Sequence, residues 1–337
     1  NAANQIVTLS YERNMFISPD VQLKFFDAGH ILGSAFASLT ISGQRKDEDV
    51  NILFTGDIGR KNKPIIRNPS TNVPAPDYIV LESTYGDRKH EDVKIAMDEL
   101  ADIVNRAVAQ KGKIIIPAFA IERTQELVYY FHLLVDQKKI PQIPIYVDSP
   151  MATNATSIFQ VHPECYDEST HEAFLKHHKN PFGFNSLQFV TSVDESKSLN
   201  QKEGPMVIIS ADGMCEAGRI LHHLANNISD SRNTILLVGY MAENTLGRRL
   251  RNRETEVKIM GDWFKVNASI EQINAFSAHA DYEEMVEWLN SFDTSRLKRI
   301  FMVHGEKKAQ EFFYNYLKDN GYPNVDIVKY GETYDLE

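Results

Sequence analysis

Cysteine is nearly absent: the 337 residues include only Cys165 and Cys215. Two such thiols build no disulfide framework, and neither stands in a C-x-x-C pair, which argues against a cysteine zinc knuckle. They read as reduced thiols of a cytoplasmic protein. No stretch approaches the roughly 20 consecutive apolar residues of a membrane helix, and no charged-then-apolar segment opens the chain as a signal peptide would. No membrane is therefore expected as a partner. Positive charge is in deficit, with 36 lysines and arginines against 46 carboxylates and a formal net charge of −10. A nucleic-acid binder usually shows a basic face, so this balance counts against long duplex ligands while leaving room for a narrow basic channel. Repeats and low-complexity segments are lacking as well. What remains is an ordinary globular profile, 42% hydrophobic and 24% charged, long enough for two domains.

Alternation and apolar runs place strands at 21–26, 35–41, 51–54 and 78–81, with Gly43 and the charged run 45–49 as a hairpin tip. A helical period then sets in over 91–110, where Val93, Met97, Leu100, Ile103, Val104 and Ala107 share one face. Strands at 113–116, 143–147, 206–210 and 234–238 alternate with helices at 124–135 and near 219–226. That alternation predicts an α/β domain with a parallel sheet. Strand character returns over 257–275, followed by an amphipathic helix at 283–292, a buried strand at 299–303 and a closing helix at 310–320, stopped by Gly321 and Pro323. The two ends of the chain thus read alike, and the middle reads as an insertion. The expected boundaries are 1–88, 89–255 and 256–337.

Four segments share one design. Phe26-Asp27-Ala28-Gly29-His30, Leu53-Phe54-Thr55-Gly56-Asp57, Phe276-Ser277-Ala278-His279 and Met302-Val303-His304-Gly305 each pass from apolar residues through or beside small ones to one imidazole or carboxylate. A rigid sheet presents metal ligands from several strand ends in this way. One such histidine alone is more often structural; four in one chain favour a metal site. The histidines among His171, His177 and His178, beside lysines, read instead as a solvated surface turn.

In order along the chain, Asp27-Ala28-Gly29-His30-Ile31-Leu32-Gly33-Ser34, Phe54-Thr55-Gly56-Asp57 and Glu82-Ser83-Thr84-Tyr85-Gly86 are followed by the run 117–127 from Pro117 to Leu127. Ser210-Ala211-Asp212-Gly213-Met214, the run 239–247 and the two histidine segments complete the series. This succession resembles the β-CASP branch of the metallo-β-lactamase superfamily, over nearly the whole chain. The resemblance implies a metallo-β-lactamase fold with an inserted parallel-sheet β-CASP domain. It also implies zinc-dependent hydrolysis of RNA phosphodiester bonds, with two zinc ions in the complete family site. His30 matches a ligand of one zinc, Asp57 the carboxylate that bridges both, and His304 a ligand of the other. Glu82 matches a carboxylate that orients a histidine, matched here by His279, which helps protonate the leaving oxygen. The chemistry agrees with these residue types: phosphodiester hydrolysis near neutral pH needs an ionised water, and the departing 3′-oxygen needs a proton, which an imidazole beside a carboxylate can donate.

The middle domain is then expected to hold single-stranded RNA in the cleft between the halves. The 210–214 turn, with Ser210 and Gly213, offers backbone N–H groups, and Arg123 and Arg219 at helix starts offer guanidinium groups to phosphate. The basic run Arg248, Arg249, Arg251 and Arg253 reads equally as a solvated helix face or as RNA contact. One departure limits the site. The family's H-x-H-x-D-H signature should precede His30, yet His30 is the first histidine. Only three candidates for direct metal ligation remain, so partial or absent zinc and weak or no activity are expected of these residues alone. A start at Asn1 inside a domain is the preferred explanation, since every downstream ligand type is intact; a natural non-catalytic scaffold is the other. A DNA nuclease and a small-molecule metallohydrolase are further alternatives, and a homodimer is held open.

Overall fold

The computed structural model describes residues 2–43, 48–90, 93–176, 180 and 182–336. Most of the expected hairpin tip at 45–49, the start of the helix expected at 91, and His177 and His178 lie outside them. By contact the chain divides into two compact units, Asn1–Lys89 with Ala278–Glu337, and His90–Ser277.

The first unit is built on one seven-stranded sheet. Its strands are β1 (Asn14–Ser18), β2 (Val21–Asp27), β3 (Ala35–Ile41), β4 (Val50–Phe54) and β5 (Tyr78–Leu81), joined by two late strands at Arg299–Met302 and Val325–Ile327. The order across the sheet is β1, β2, β3, β4, β5, then the 299–302 strand and the 325–327 strand. Pairing is antiparallel from β1 to β4 and parallel from β4 onward. Because β3 runs against both β2 and β4, those two point the same way. The carboxyl ends of β2, β4, β5 and the 299–302 strand therefore share one edge of the sheet.

The second unit centres on a six-stranded, all-parallel sheet. Its strands are β6 (Lys113–Pro117), β7 (Ile145–Asp148), β8 (Leu187–Phe189), β9 (Met206–Ser210), β10 (Thr234–Val238) and a strand at Ser269–Ile273. A separate hairpin of β11 (Glu256–Ile259) and β12 (Asp262–Lys265) precedes that last strand, which is β13 in chain order and leaves β14 and β15 for the two late strands of the first unit. The sheet order is β13-β10-β6-β9-β7-β8. Central strands β6, β7, β9 and β10 are buried along their whole length, as unbroken Ile/Val/Leu runs require when helices cover both faces. Those helices are α1 (Val93–Ala109), α2 (Arg123–Asp136), α3 (Pro150–Val161), α4 (Glu168–Lys176), α5 (Val193–Gln201), α6 (Arg219–Asn227) and α7 (Leu246–Arg251). The return to the first domain was expected at 256. By contact the chain stays with the second unit to Ser277, because β13 pairs in parallel with β10 from Thr234↔Ser269 to Val238↔Ile273.

The first unit's core lies between its sheet and two helices, α8 (Tyr282–Leu289) and α9 (Lys307–Asp319). Phe26, Phe36, Leu53, Ile79 and Leu81 pack with Trp288, Leu289, Phe313 and Leu317, all essentially inaccessible. Each such side chain contributes roughly 1.5–3 kcal/mol of hydrophobic stabilisation. The start of α8 is fixed by a capping box. The Asp281 carboxylate accepts from the N–H of Glu283 and Glu284, and the Glu284 carboxylate accepts from the N–H of Asp281. The Arg60 guanidinium also donates to Glu284 at 3.1 Å. A helix pinned this firmly holds the residue two places before its cap, His279, in a defined position.

No helix among the described residues is long and apolar enough to cross a membrane.

Candidate metal centre

The shared sheet edge receives one chemistry-bearing residue from each strand end. His30 follows β2 in a loop tied by short polar side chains. The Asp27 carboxylate accepts from the Gly29 N–H at 2.9 Å, and the Ser34 hydroxyl accepts from the N–H of His30 and of Ile31 at 3.1 and 3.2 Å. Asp57 follows β4, where the Thr55 N–H donates to the Val80 carbonyl and the Ala280 N–H to the Ile58 carbonyl. Glu82 ends β5. His304 follows β14, its carbonyl accepting from the Ser83 N–H at 3.1 Å. Asp57 and Glu82 thus sit on neighbouring parallel strands, with His304 on the next, a placement that the carboxyl edge of such a sheet provides for ligand binding.

The turn after β4 and the loop after β2 meet backbone to backbone. The Gly59 N–H donates to the Ala28 carbonyl at 2.8 Å, and a Cβ at Gly59 would lie 1.7 Å from the Gly29 carbonyl oxygen. No side chain fits there. Gly59→Ala is expected to push the 27–34 loop away and lower the melting temperature. Circular dichroism with a zinc titration checks this; a variant that melts and binds zinc as wild type would show that the two loops are not coupled.

Asp57 stands between two histidines. Its Oδ2 lies 3.7 Å from His30 Nε2, and its Oδ1 lies 3.4 Å from His304 Nε2. Both gaps exceed an ordinary hydrogen bond, which closes to about 2.7–3.2 Å. They are close to the separation of two donors on one tetrahedral zinc, about 3.3–3.4 Å when each metal arm is about 2.0–2.1 Å. The donor atoms of His30, Asp57 and His279 lie mutually within 4.8 Å. The rings of His30 and His279 are 4.4 Å apart, and those of His279 and His304 6.2 Å. Three imidazoles and a carboxylate are donors of the type zinc takes, so the residues fit the metal. The side chains of His30, Asp57 and His304 come together, and His279 stands among them.

Glu82 is 1% exposed, and its carboxylate accepts from His279 Nδ1 at 3.0 and 3.1 Å. It also accepts from the Ile58 N–H at 2.5 Å and the Thr84 N–H at 3.4 Å. Burial acts to raise its pKa. The facing His279 charge and these hydrogen bonds outweigh it and hold the carboxyl below the ordinary glutamate value. An ionised carboxylate only accepts, so Nδ1 of His279 carries its proton, and chemistry falls to Nε2. Asp57 shows the reverse. Burial first, and then the negative charge of Glu82, raise its pKa, only partly offset by His279 and His304. A carboxylate that is costly to ionise in the bare protein gains most from a cation beside it. Tyr85 stacks parallel to His279 at 6.2 Å and was not singled out from the sequence. Nor was the Asp281/Glu284 cap, although the D-x-x-E spacing that signals it is visible there.

The residues expected to clamp phosphate are placed differently. Arg123 is 7% exposed and forms an ion pair with Glu126, which also accepts from the Tyr130 hydroxyl. Arg219 donates to Asp148 at 2.6 Å and to the carbonyls of Val190 and Thr191. The buried Ser210 hydroxyl donates to the Asp148 carbonyl. The Asp212 carboxylate takes the N–H of Met214 within the 210–214 turn and that of Glu216 just past it, and a Cβ at Gly213 would meet Phe119 at 3.0 Å. These four residues build the second unit. Arg123, Arg219 and Ser210 thus each have a partner within that unit, and their contact with phosphate stands as a proposal.

Asp148 is the hub of that network, accepting from Arg219, from Ser196 at 2.5 Å and from His223 Nε2 at 2.6 Å. Burial works against its ionisation, but the bonds from His223, Ser196 and Arg219 prevail, and its pKa lies below the usual aspartate value. A depressed carboxyl stabilises the fold above its unfolded pKa of about 3.9 and loses that stabilisation as pH falls through the lower folded value. Acid unfolding of the second unit is therefore expected to steepen below pH about 4. Asp148→Asn is expected to cost about 3 kcal/mol near neutrality, at the low end for a broken buried pair because Arg219 is partly exposed. Urea melts across pH would show it, and an unchanged midpoint would remove Asp148 from the stabilising network.

A sheet edge that gathers three histidines and one aspartate, in a chain that also carries an α/β insertion, fits a metallo-hydrolase. Two family models match: Beta-Casp domain at 124–250, and Zn-dependent metallo-hydrolase RNA specificity domain at 263–328. Ribonuclease TTHA0252 of Thermus thermophilus is 35% identical over 312 residues, covering 93% of this chain and 69% of that protein. An RNase J-like protein of Methanocaldococcus jannaschii is 30% identical over 311 residues, covering 91% and 69%. Transcription termination factor FttA of Methanosarcina mazei is 31% identical over 311 residues, covering 90% of this chain and 48% of that protein. The chain thus spans about half the length of the termination factor. It belongs to the β-CASP family of the metallo-β-lactamase superfamily, with the fold that its motifs implied.

Proposed function

We propose that this protein hydrolyses RNA phosphodiester bonds with zinc, in RNA processing or decay. The observation that carries the reading is the placement of Asp57, whose two oxygens each face a different histidine. His30 and His304 would hold metal on either side, with Asp57 shared between them. Bound zinc supplies Lewis acidity, which brings the ionisation of water near neutral pH and offsets charge developing at phosphorus. The chain's own residues do the rest. Glu82, ionised and buried, fixes the ring and tautomer of His279. His279 Nε2 delivers the proton that the departing 3′-oxygen needs. The RNA specificity model at 263–328 and the ribonuclease relative support RNA as the substrate.

A non-catalytic reading has one observation in its favour. Two catalytic zincs with three protein ligands each, one of them shared, need five groups, and this cluster offers His30, Asp57, His279 and His304. Zinc held by these residues alone is therefore expected at one equivalent or less. Elemental analysis after dialysis measures it, and two tightly held ions would show ligands from a source outside this cluster. The activity test follows cleavage of single-stranded RNA, its arrest by a chelator and its return with zinc, with single-stranded DNA of the same sequence beside it. Cleavage indifferent to the chelator would sink the proposal; equal cleavage of DNA would widen the substrate to nucleic acid in general.

A further inference from the structure

The β11–β12 hairpin straddles the edge of a family-model match: β11 and the turn lie between the matches at 124–250 and 263–328, and Trp263 opens the second. Its two faces differ. Val257 and Ile259 are buried in the second unit's core, and Phe264 packs against it. The opposite face carries Lys258 directly across from Trp263, and Glu256 across from Lys265. Strand alternation calls for polar residues on such a face, and Trp263 is 65% exposed. An exposed large aromatic on a folded, polar face is informative where a buried one is not.

Its surroundings are basic. The Arg249 guanidinium, from α7, lies over the indole ring at 5.8 Å, within cation–π range. Glu254 fixes that guanidinium through bonds of 2.9 and 2.8 Å. Residues 246–265 carry six arginines and lysines against three carboxylates, in a chain with a formal net charge of −10. The hairpin closes through Met260 and Gly261, both at positive φ, as a tight two-residue turn of the primed type requires. The ring is thus presented by a short, rigid hairpin anchored in a core.

We propose that Trp263, with Lys258, Lys265 and Arg249, is a binding platform for single-stranded RNA, separate from the metal cluster. A base stacks on the indole while the lysines meet the backbone phosphates, the combination by which proteins hold single strands without reading sequence. The platform rests on RNA being the substrate. It also gives a role to Arg249, one residue of the basic run that the sequence alone left open between solvent and RNA.

The chain has two tryptophans, and Trp288 is 1% exposed in the first unit's core, so a change of emission on adding RNA reports Trp263. The probe is an oligouridylate of about 20 nucleotides, long enough for several contacts, added to the full chain in EDTA so that binding is read without cleavage. Quenching of wild type is expected. Trp263→Ala should lose the quench and bind about 5- to 100-fold more weakly, while Trp263→Phe keeps most of the affinity. Lys258→Ala should flatten the salt dependence by about one phosphate. Hydrolysis of bis(p-nitrophenyl) phosphate, which has no nucleobase and no run of phosphates for the platform to hold, should match wild type in all three. If Trp263→Ala binds the oligonucleotide as wild type does, the platform is refuted and the RNA-hydrolase reading stands. If it alters only self-association, measured by light scattering, the face is a contact between copies and the platform is again refuted. If wild type neither binds nor cleaves RNA, both readings fall.

Discussion

Replacing Asp57 by alanine is expected to weaken zinc binding by more than about a hundred-fold. A residue that merely orients a metal ligand costs about 10- to 100-fold when removed, and Asp57 sits closer to the centre than that. It is the group whose two oxygens reach toward His30 and His304 at 3.7 and 3.4 Å. Without it the histidines lose their common partner, and the cation loses the only carboxylate in the cluster of four. The fold should tolerate the change, because burial and the charge of Glu82 already disfavour the ionised side chain in the bare protein. Asp57→Ala is thus expected to melt no lower than wild type without zinc, and to gain little or nothing when zinc is added. Glu82→Gln should fall between the two, at about 10- to 100-fold, since Glu82 acts through His279. Competition against a chelating dye measures all three proteins. Unchanged zinc affinity in Asp57→Ala would refute a metal centre at this sheet edge.

The parts of this molecule that were legible in the sequence are those whose chemistry is local. β2, β3, β4 and β5 announce themselves by apolar runs closed by turn residues, and His30, Asp57 and His304 stand out as single candidate ligands just past such strands. β1 did not, because it is an edge strand whose residues are largely exposed and carry no burial pattern. α3 and α5 were also missed, although Ser149 and Ser192 cap them; a serine before a polar run reads equally as a loop. For Arg123 and Arg219 the sequence did not show the partners that the fold supplies. A cation at a helix start looks the same in sequence whether it faces phosphate or a buried carboxylate. For Arg219 the deciding partner is Asp148, 71 residues away. For Arg123 it is Glu126, three residues on, and that i,i+3 spacing of opposite charges was a signal within reach.

The Glu82–His279 pair was identified by resemblance, and the geometry gives it a mechanism that a rate measurement can isolate. In protein that cleaves RNA, His279→Ala is expected to slow cleavage by about a hundred- to ten-thousand-fold, the usual worth of a positioned general acid. The effect should depend on the leaving group. A 3′-alkoxide departs poorly unless protonated, whereas p-nitrophenolate departs well without help. The same substitution should therefore cost far less on a p-nitrophenyl phosphodiester than on RNA. Glu82→Gln should reproduce the loss in part, by freeing the tautomer that the carboxylate now fixes through Nδ1 at 3.0 Å. Zinc content needs measuring in parallel, because the donor atoms of His279 lie within 4.8 Å of those of His30 and Asp57. Wild-type zinc content with a leaving-group-dependent loss identifies His279 as the acid. Equal losses on both substrates, with zinc reduced in step, would make it a metal ligand instead and hand the leaving-group proton to another donor.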